Sequence, residues 1–262
     1  MAYSNGYIIG FATAVCVVCS IFVAGSAVSL KEQQVKNAVL DLKKNVISVS
    51  DLQTEADKAT PLTEDQVNKF FDPNEANHIE EKYVELATGI TLNAKDGVQK
   101  MEENKDNCTP LSAKENKAKI SCLPKYKRIY EIYKDKKMSR MVLEVEGKGL
   151  WSTLQGFLAM STDGQTIQGL TFYKHGETPG LGGEVDNPKW KSGWVGAKPF
   201  NASNLPSIDI VKGSAPDNKS DNKIDGLSGA TLTSNGVEDL VNFWLGTHGY
   251  ATYLSKNSKG GQ

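Results

Sequence analysis

Tyr126 to Lys174 reads "YKRIYEIYKDKKMSRMVLEVEGKGLWSTLQGFLAMSTDGQTIQGLTFYK". Within it, "RIYEIYK", "MVLEVEG", "LQGFLAMS" and "TIQGLTFYK" are short runs of β-branched, aromatic and aliphatic residues. "KDKK", "GKG" and "TDGQ" separate them. Runs of this length between turn residues read as strands. Consecutive strands joined by tight turns pair antiparallel. Downstream, "NGVEDLVNFWLG" places Val237, Leu240, Val241, Trp244 and Leu245 at helical spacing, with Gly246 as the stop. The stretch therefore predicts an α+β fold: a twisted antiparallel sheet with helices packed against it.

Upstream of the strands the pattern changes. "LTEDQVNKFFD", from Leu62, offers Thr63 as the N-cap of a short helix. "KEQQVKNAVLDLKKNVISVS" predicts another helix, with Val35, Val39 and Leu42 near one face. Thr91 to Pro124 is rich in Lys, Glu and Asn and reads as a loop-rich insertion. "SKNSKGGQ" at the end reads as a frayed tail.

Met1 to Leu30 contains no Asp, Glu, Lys or Arg. About 20 mostly apolar residues suffice for a helix to cross a bilayer. Tyr7 to Val28 reads as one such helix. The competing reading is a cleaved signal peptide, with "AGSAVS" as its cleavage site. The missing basic n-region and the length of the apolar run oppose it. Lys31, Lys36, Lys43 and Lys44 follow the segment, and by charge bias they would place the large domain in the cytoplasm.

The chain has 262 residues and a net charge of −1, which gives no strong electrostatic pull toward nucleic acid. Its 3 histidines are not spaced with Cys or carboxylates as metal ligands are. No GxGxxG leads from a strand into a helix, so a dinucleotide fold is not indicated. Cys16 and Cys19 sit inside the apolar segment. Cys108 and Cys122 flank "CTPLSAKENKAKISC" and would close a loop in an oxidising compartment or stay free in a reducing one.

Three stretches can carry chemistry. "DGLSGATLTSNGV", Asp225 to Val237, gathers Ser228, Thr231, Thr233 and Ser234 around the small Gly229 and Ala230. Free N–H groups at the start of the helix that follows would favour an anion such as phosphate. The plainer alternative is a turn with Ser234 or Asn235 as the helix cap. "HGETPGLGGE", His175 to Glu184, is a Gly- and Pro-rich loop whose N–H groups can point at a flat polar ligand, or a tight surface turn. In "GKGLWS", Gly147 to Ser152, Leu150 and Trp151 can cover an aromatic ring or join the core.

Together these stretches resemble the membrane-anchored FMN-binding domains. "DGLSGATLTS" looks like their flavinylation motif and "HGETPGLGGE" like the partner loop. One membrane helix ahead of such a domain, and the ending "VNFWLGTHGYATYL", are similar to the C subunits of sodium-translocating NADH:quinone reductases. The homologous G subunits of Rnf electron-transport complexes are one alternative. A membrane-anchored binding domain with no redox role is the other. The resemblance covers the apolar helix and most of Tyr126 to Leu254.

It implies FMN joined covalently to Thr231 by a separate flavin transferase, which takes FMN from FAD with Mg²⁺. Ser228, Gly229 and Ala230 would leave room for that enzyme, and Asp225 would be read by it. Thr233 and Ser234 would solvate the phosphodiester. His175, Glu177, Thr178, Gly180, Leu181 and Gly182, with Leu150 and Trp151, would hold the flavin ring. No catalytic residue and no metal ligand is expected. The implied role is an electron relay between a membrane iron–sulfur centre and a second flavin subunit, in a complex that exports sodium. The implied location is the periplasmic side of a bacterial inner membrane, against the charge bias. The corresponding division is an anchor over 1–30, a helical and loop-rich connection over 31–125, the FMN-binding domain over 126–254 and a tail over 255–262.

Overall fold

A computed structural model describes residues 4–54, 57, 60–213 and 222–260. In it the quoted stretch forms four consecutive strands: β3 (Tyr126–Lys134), β4 (Lys137–Lys148), β5 (Thr153–Ser161) and β6 (Ile167–Lys174). Each pairs antiparallel with the next. Asp135 and Lys136 join β3 to β4 with positive φ angles of 51° and 61°. A two-residue turn of that hand matches the right-handed twist of its strands.

The sheet has six strands in the order β2-β1-β3-β4-β5-β6. Its first two, β1 (His78–Glu85) and β2 (Ile90–Asn93), come from before Tyr126. The segment 31–125, expected as a connection, thus supplies one edge of the sheet. Thr91 to Pro124 is also more ordered than a loop-rich insertion. It completes β2, forms α3 (Ala94–Glu103) and closes on a disulfide between Cys108 and Cys122. An earlier short helix, α2 (Glu64–Phe70), is capped as expected, with the Thr63 side chain accepting from the Gln66 N–H in a capping box.

Both faces of the sheet are covered. On one face lies the large core, built from Ile129, Leu143, Val145, Leu158 and Leu170 against the helix α5 (Thr231–Leu245). Trp244 Nε1 of α5 donates to the Glu146 carbonyl at 2.6 Å. The Tyr250 hydroxyl, beyond the helix, donates to the Glu144 carbonyl at 2.6 Å. The other face carries Tyr130 edge-on to Phe71 and Phe157. Burial on both faces explains why "GFLAM" shows no alternation. The last helix, α6 (Ala251–Gly260), occupies most of the expected tail. Gln262 and the residue before it lie outside the described residues.

The chain divides into two units, Met1–Leu42 and Lys43–Gln262. The helix α1 (Asn5–Ser50) begins in the first, and its apolar part has a mean hydropathy of 2.4, long and apolar enough to cross a membrane. Within the second unit, its last turns bury Val46, Ile47 and Val49. Arg140 Nη1 donates to the Val49 carbonyl at 3.0 Å, satisfying a group that the helix end leaves open. Two short strands, β7 (Asp209–Val211) and β8 (Lys223–Asp225), pair in parallel and lead toward α5. A short helix, α4 (Pro188–Ser192), precedes them.

Candidate functional site

The three stretches meet at one carboxylate. "GKGLWS" is the turn from β4 to β5, "HGETPGLGGE" follows β6, and "DGLSGATLTS" leads from β8 into α5. Glu177 is 5% exposed. Its Oε1 accepts from the backbone N–H of Trp151 at 3.0 Å and of Ser152 at 3.1 Å. Its Oε2 accepts from the Leu150 N–H at 3.2 Å and from the Thr233 hydroxyl at 2.7 Å. Burial pushes the Glu177 carboxyl up, but the Thr233 hydroxyl and the three backbone donors outweigh it and hold the group below its ordinary value. Two glycines allow this convergence. A Cβ at Gly149 would lie 2.6 Å from Glu177 Oε1, and one at Gly182 would lie 2.5 Å from Thr233 Oγ1.

The loop after β6 is shaped by its own backbone. Gly180 takes a φ of 75°, and the Leu181 and Gly183 N–H groups both donate to the Thr178 carbonyl. Thr178, Gly180 and Leu181 are exposed, whereas Gly182 is buried. His175 is held in one tautomer. Its Nδ1 accepts the Glu177 N–H at 3.2 Å, so Nε2 carries the proton and donates to Asp186 Oδ2 at 2.7 Å. The structure thus uses His175 to brace the loop. A second tie runs from the Gly176 N–H to Ser152 Oγ at 2.6 Å.

At the third stretch the helix starts earlier than its apolar spacing predicts. α5 begins at Thr231 behind Ala230, and among the described residues no side chain caps it. Ser234 does not cap it. It is buried, and its Oγ accepts the Leu227 N–H at 3.0 Å. Thr233 is fully buried on Glu177. Of the four hydroxyls expected near an anion, only those of Ser228 and Thr231 belong to exposed residues. Gly229 turns the chain with a φ of 72°, and a Cβ there would lie 3.1 Å from Leu181 Cδ2, so the two loops touch. Ala230 is buried, and Asp225 is exposed at the end of β8, its carbonyl accepting from Trp190 Nε1 at 2.8 Å.

Trp151 is 67% exposed, Leu150 41% and Leu181 45%. They are not core residues, which separates the two readings left open for "GKGLWS". Leu232, beside Thr231, is 61% exposed and escaped the sequence reading, because its spacing marks it only as one more helix residue. Thr231 also lines a cavity of about 830 Å³ together with Ser228, Gly229 and Asn235. Among the described residues, no group of three or more His, Cys, Asp or Glu side chains is placed to hold a metal. An exposed hydroxyl on an uncapped helix start, with large apolar side chains left in solvent nearby, fits a ligand that has a phosphate at one end and a flat apolar ring at the other.

Residues 149–246 match the FMN-binding domain family. The chain is 39% identical to the C subunit of the Na(+)-translocating NADH-quinone reductase of Vibrio parahaemolyticus, covering 100% of this chain and 99% of that one. It is 41% identical to the Pseudomonas aeruginosa C subunit over 95% of this chain and 94% of that one. The crystal structure of Shewanella oneidensis NqrC superposes with a TM-score of 0.71 at 27% identity, covering 83% of this chain and 96% of that one.

Proposed function

Because the chain belongs to the family of C subunits of Na(+)-translocating NADH-quinone reductase, we propose that it carries FMN on the Thr231 hydroxyl and relays electrons within that complex. The observation that carries the assignment is the placement of Thr231: exposed, first in an uncapped helix, and lining a large cavity.

Loading forms a bond from Thr231 Oγ to the phosphorus of the FMN half of FAD and breaks the pyrophosphate P–O–P bond. AMP leaves, and the hydroxyl proton goes to a base on the flavin transferase. The small Ser228, Gly229 and Ala230 keep the approach open, and the exposed Asp225 marks the motif for recognition. The first turn of α5 would hold the phosphodiester, whose negative charge the helix dipole favours. Leu150, Trp151, Thr178, Gly180 and Leu181 would hold the ring, while Glu177, Gly182, His175, Thr233 and Ser234 fix the loops that present them. When bound, FMN supplies one-electron carriage. The chain itself contributes position and exposure, so that electrons pass between a membrane iron–sulfur centre and another flavin subunit.

The flavin-bearing part spans residues 126–254, with residues 78–93 completing its sheet and the apolar part of α1 as the membrane anchor. The domain faces the periplasm of a bacterial inner membrane. The Cys108–Cys122 disulfide supports that side, since disulfides persist in oxidising compartments. It offsets the opposite bias of the lysines after the helix.

The test is expression with and without the flavin transferase, followed by a denaturing gel. In-gel flavin fluorescence only when the transferase is present supports the reading. A colourless band in both lanes counts against it. Co-purification of the other subunits of the reductase checks the assignment to that complex.

A further inference from the structure

We infer that Lys212 supplies the counter-charge for the phosphodiester on Thr231. This rests on the assignment of Thr231 above. Lys212 lies outside all three stretches and directly follows β7. β7 and β8 run parallel, with Val211 opposite Asp225, so both strands end on the same side. One residue further, the Gly226 N–H donates to the Gly213 carbonyl at 3.2 Å, which holds the two exits together. A Cβ at Gly226 would lie 2.5 Å from the Val211 carbonyl oxygen, so only glycine lets the strands leave this close. The carboxyl ends of parallel strands, facing a helix start, form a crevice suited to phosphate.

The cavity beside Thr231 is that crevice. Among the described residues that line it, only Lys212 and Asp225 are charged, and Lys212 is the one cation. Lys212 is exposed and makes no hydrogen bond or ion pair among the described residues. A group transferred to Thr231 brings a negative charge into this space. Thr233 cannot offset it, because its hydroxyl donates to Glu177, and Ser234, which also lines the cavity, offers only a neutral hydroxyl whose oxygen already accepts the Leu227 N–H. Lys212 is the one described cation on the walls of that cavity, and so the side chain there that can meet the charge as a charge-assisted donor.

The experiment compares the full-length chain in detergent with its Lys212→Gln, Lys212→Arg and Lys134→Gln variants. Each is incubated with the purified transferase, FAD and Mg²⁺, and loading is followed by intact mass. The thermal midpoint is then measured with and without the attached flavin. Lys212→Gln should load roughly tenfold more slowly, the change expected of one lost charge-assisted hydrogen bond. Its loaded form should gain less thermal stability over its unloaded form than the wild type does. Lys212→Arg should restore both, and Lys134→Gln, on the end of β3, should change neither. Unloaded forms should melt alike, since the Lys212 side chain supports nothing in the described fold.

Wild-type loading with an unchanged Lys212→Gln overturns the role of Lys212 and leaves Thr231 standing. Slow loading with an undiminished stability gain also overturns it, because the lysine then serves the transferase alone. No loading of the wild type overturns the Thr231 assignment, and this inference with it.

Discussion

Replacing Glu177 with Gln should unfasten one point of the site and leave the rest in place. The carboxylate accepts from the Trp151 and Ser152 N–H groups on Oε1, and from the Leu150 N–H and the Thr233 hydroxyl on Oε2. A glutamine must put its NH₂ on one of these sides. On the Oε1 side it would face two backbone donors that cannot turn away. On the Oε2 side the Thr233 hydroxyl can rotate to accept from the amide, and only the Leu150 N–H loses its acceptor. The second orientation should therefore prevail. One buried donor left unpaired costs about 1–3 kcal/mol. Denaturant unfolding of the full chain in detergent should show a loss in that range with an unchanged slope. Hydrogen exchange should speed up at the Leu150 amide, while Trp151 and Ser152 keep their protection. A loss under about 0.5 kcal/mol, the range of ordinary surface changes, together with an unaltered Leu150 amide, would refute the reasoning.

Acid should act through the same group. The Glu177 carboxyl is held below its ordinary value, so its contribution is present above the unfolded value and is lost as pH falls through the lower folded one. A pH series of unfolding should show a larger acid loss in wild type than in Glu177→Gln, the remainder coming from other lowered carboxylates such as Glu146. Gly182→Ala places a methyl 2.5 Å from Thr233 Oγ1 and 2.8 Å from Glu177 Oε2, and should cost about 1–3 kcal/mol as overpacking, read by thermal melting. Cys108→Ser with Cys122→Ser removes a link across a sequence separation of 14, and should cost roughly 3 kcal/mol by denaturant unfolding.

The central strands were legible because both kinds of signal, apolar runs and turn residues, fell in register from Tyr126 to Lys174. β1 was not. "HIEEKYVE" carries charges in its middle, which look like a surface loop until Lys82 meets Glu131 of β3 at 2.5 Å. The start of α5 was misplaced for a related reason. Thr231, Thr233 and Ser234 carry the hydroxyls of a cap, yet Thr233 and Ser234 turn theirs inward, to Glu177 and to the Leu227 N–H. The three stretches of the candidate site could be picked out by composition. Their junction could not, because Glu177 reaches donors 26 and 56 residues away and nothing local announces it. Lys212 was hidden as well, as one lysine among many until β7 and β8 set it beside the cavity.

The central claim is the bond at Thr231. Its most direct test is the intact mass of the full chain, purified after expression with the flavin transferase, beside the Thr231→Ala variant. The expected result is a gain equal to FMN less one water in the wild type and none in the variant, with both chains folded. An equal gain in the variant would contradict the claim.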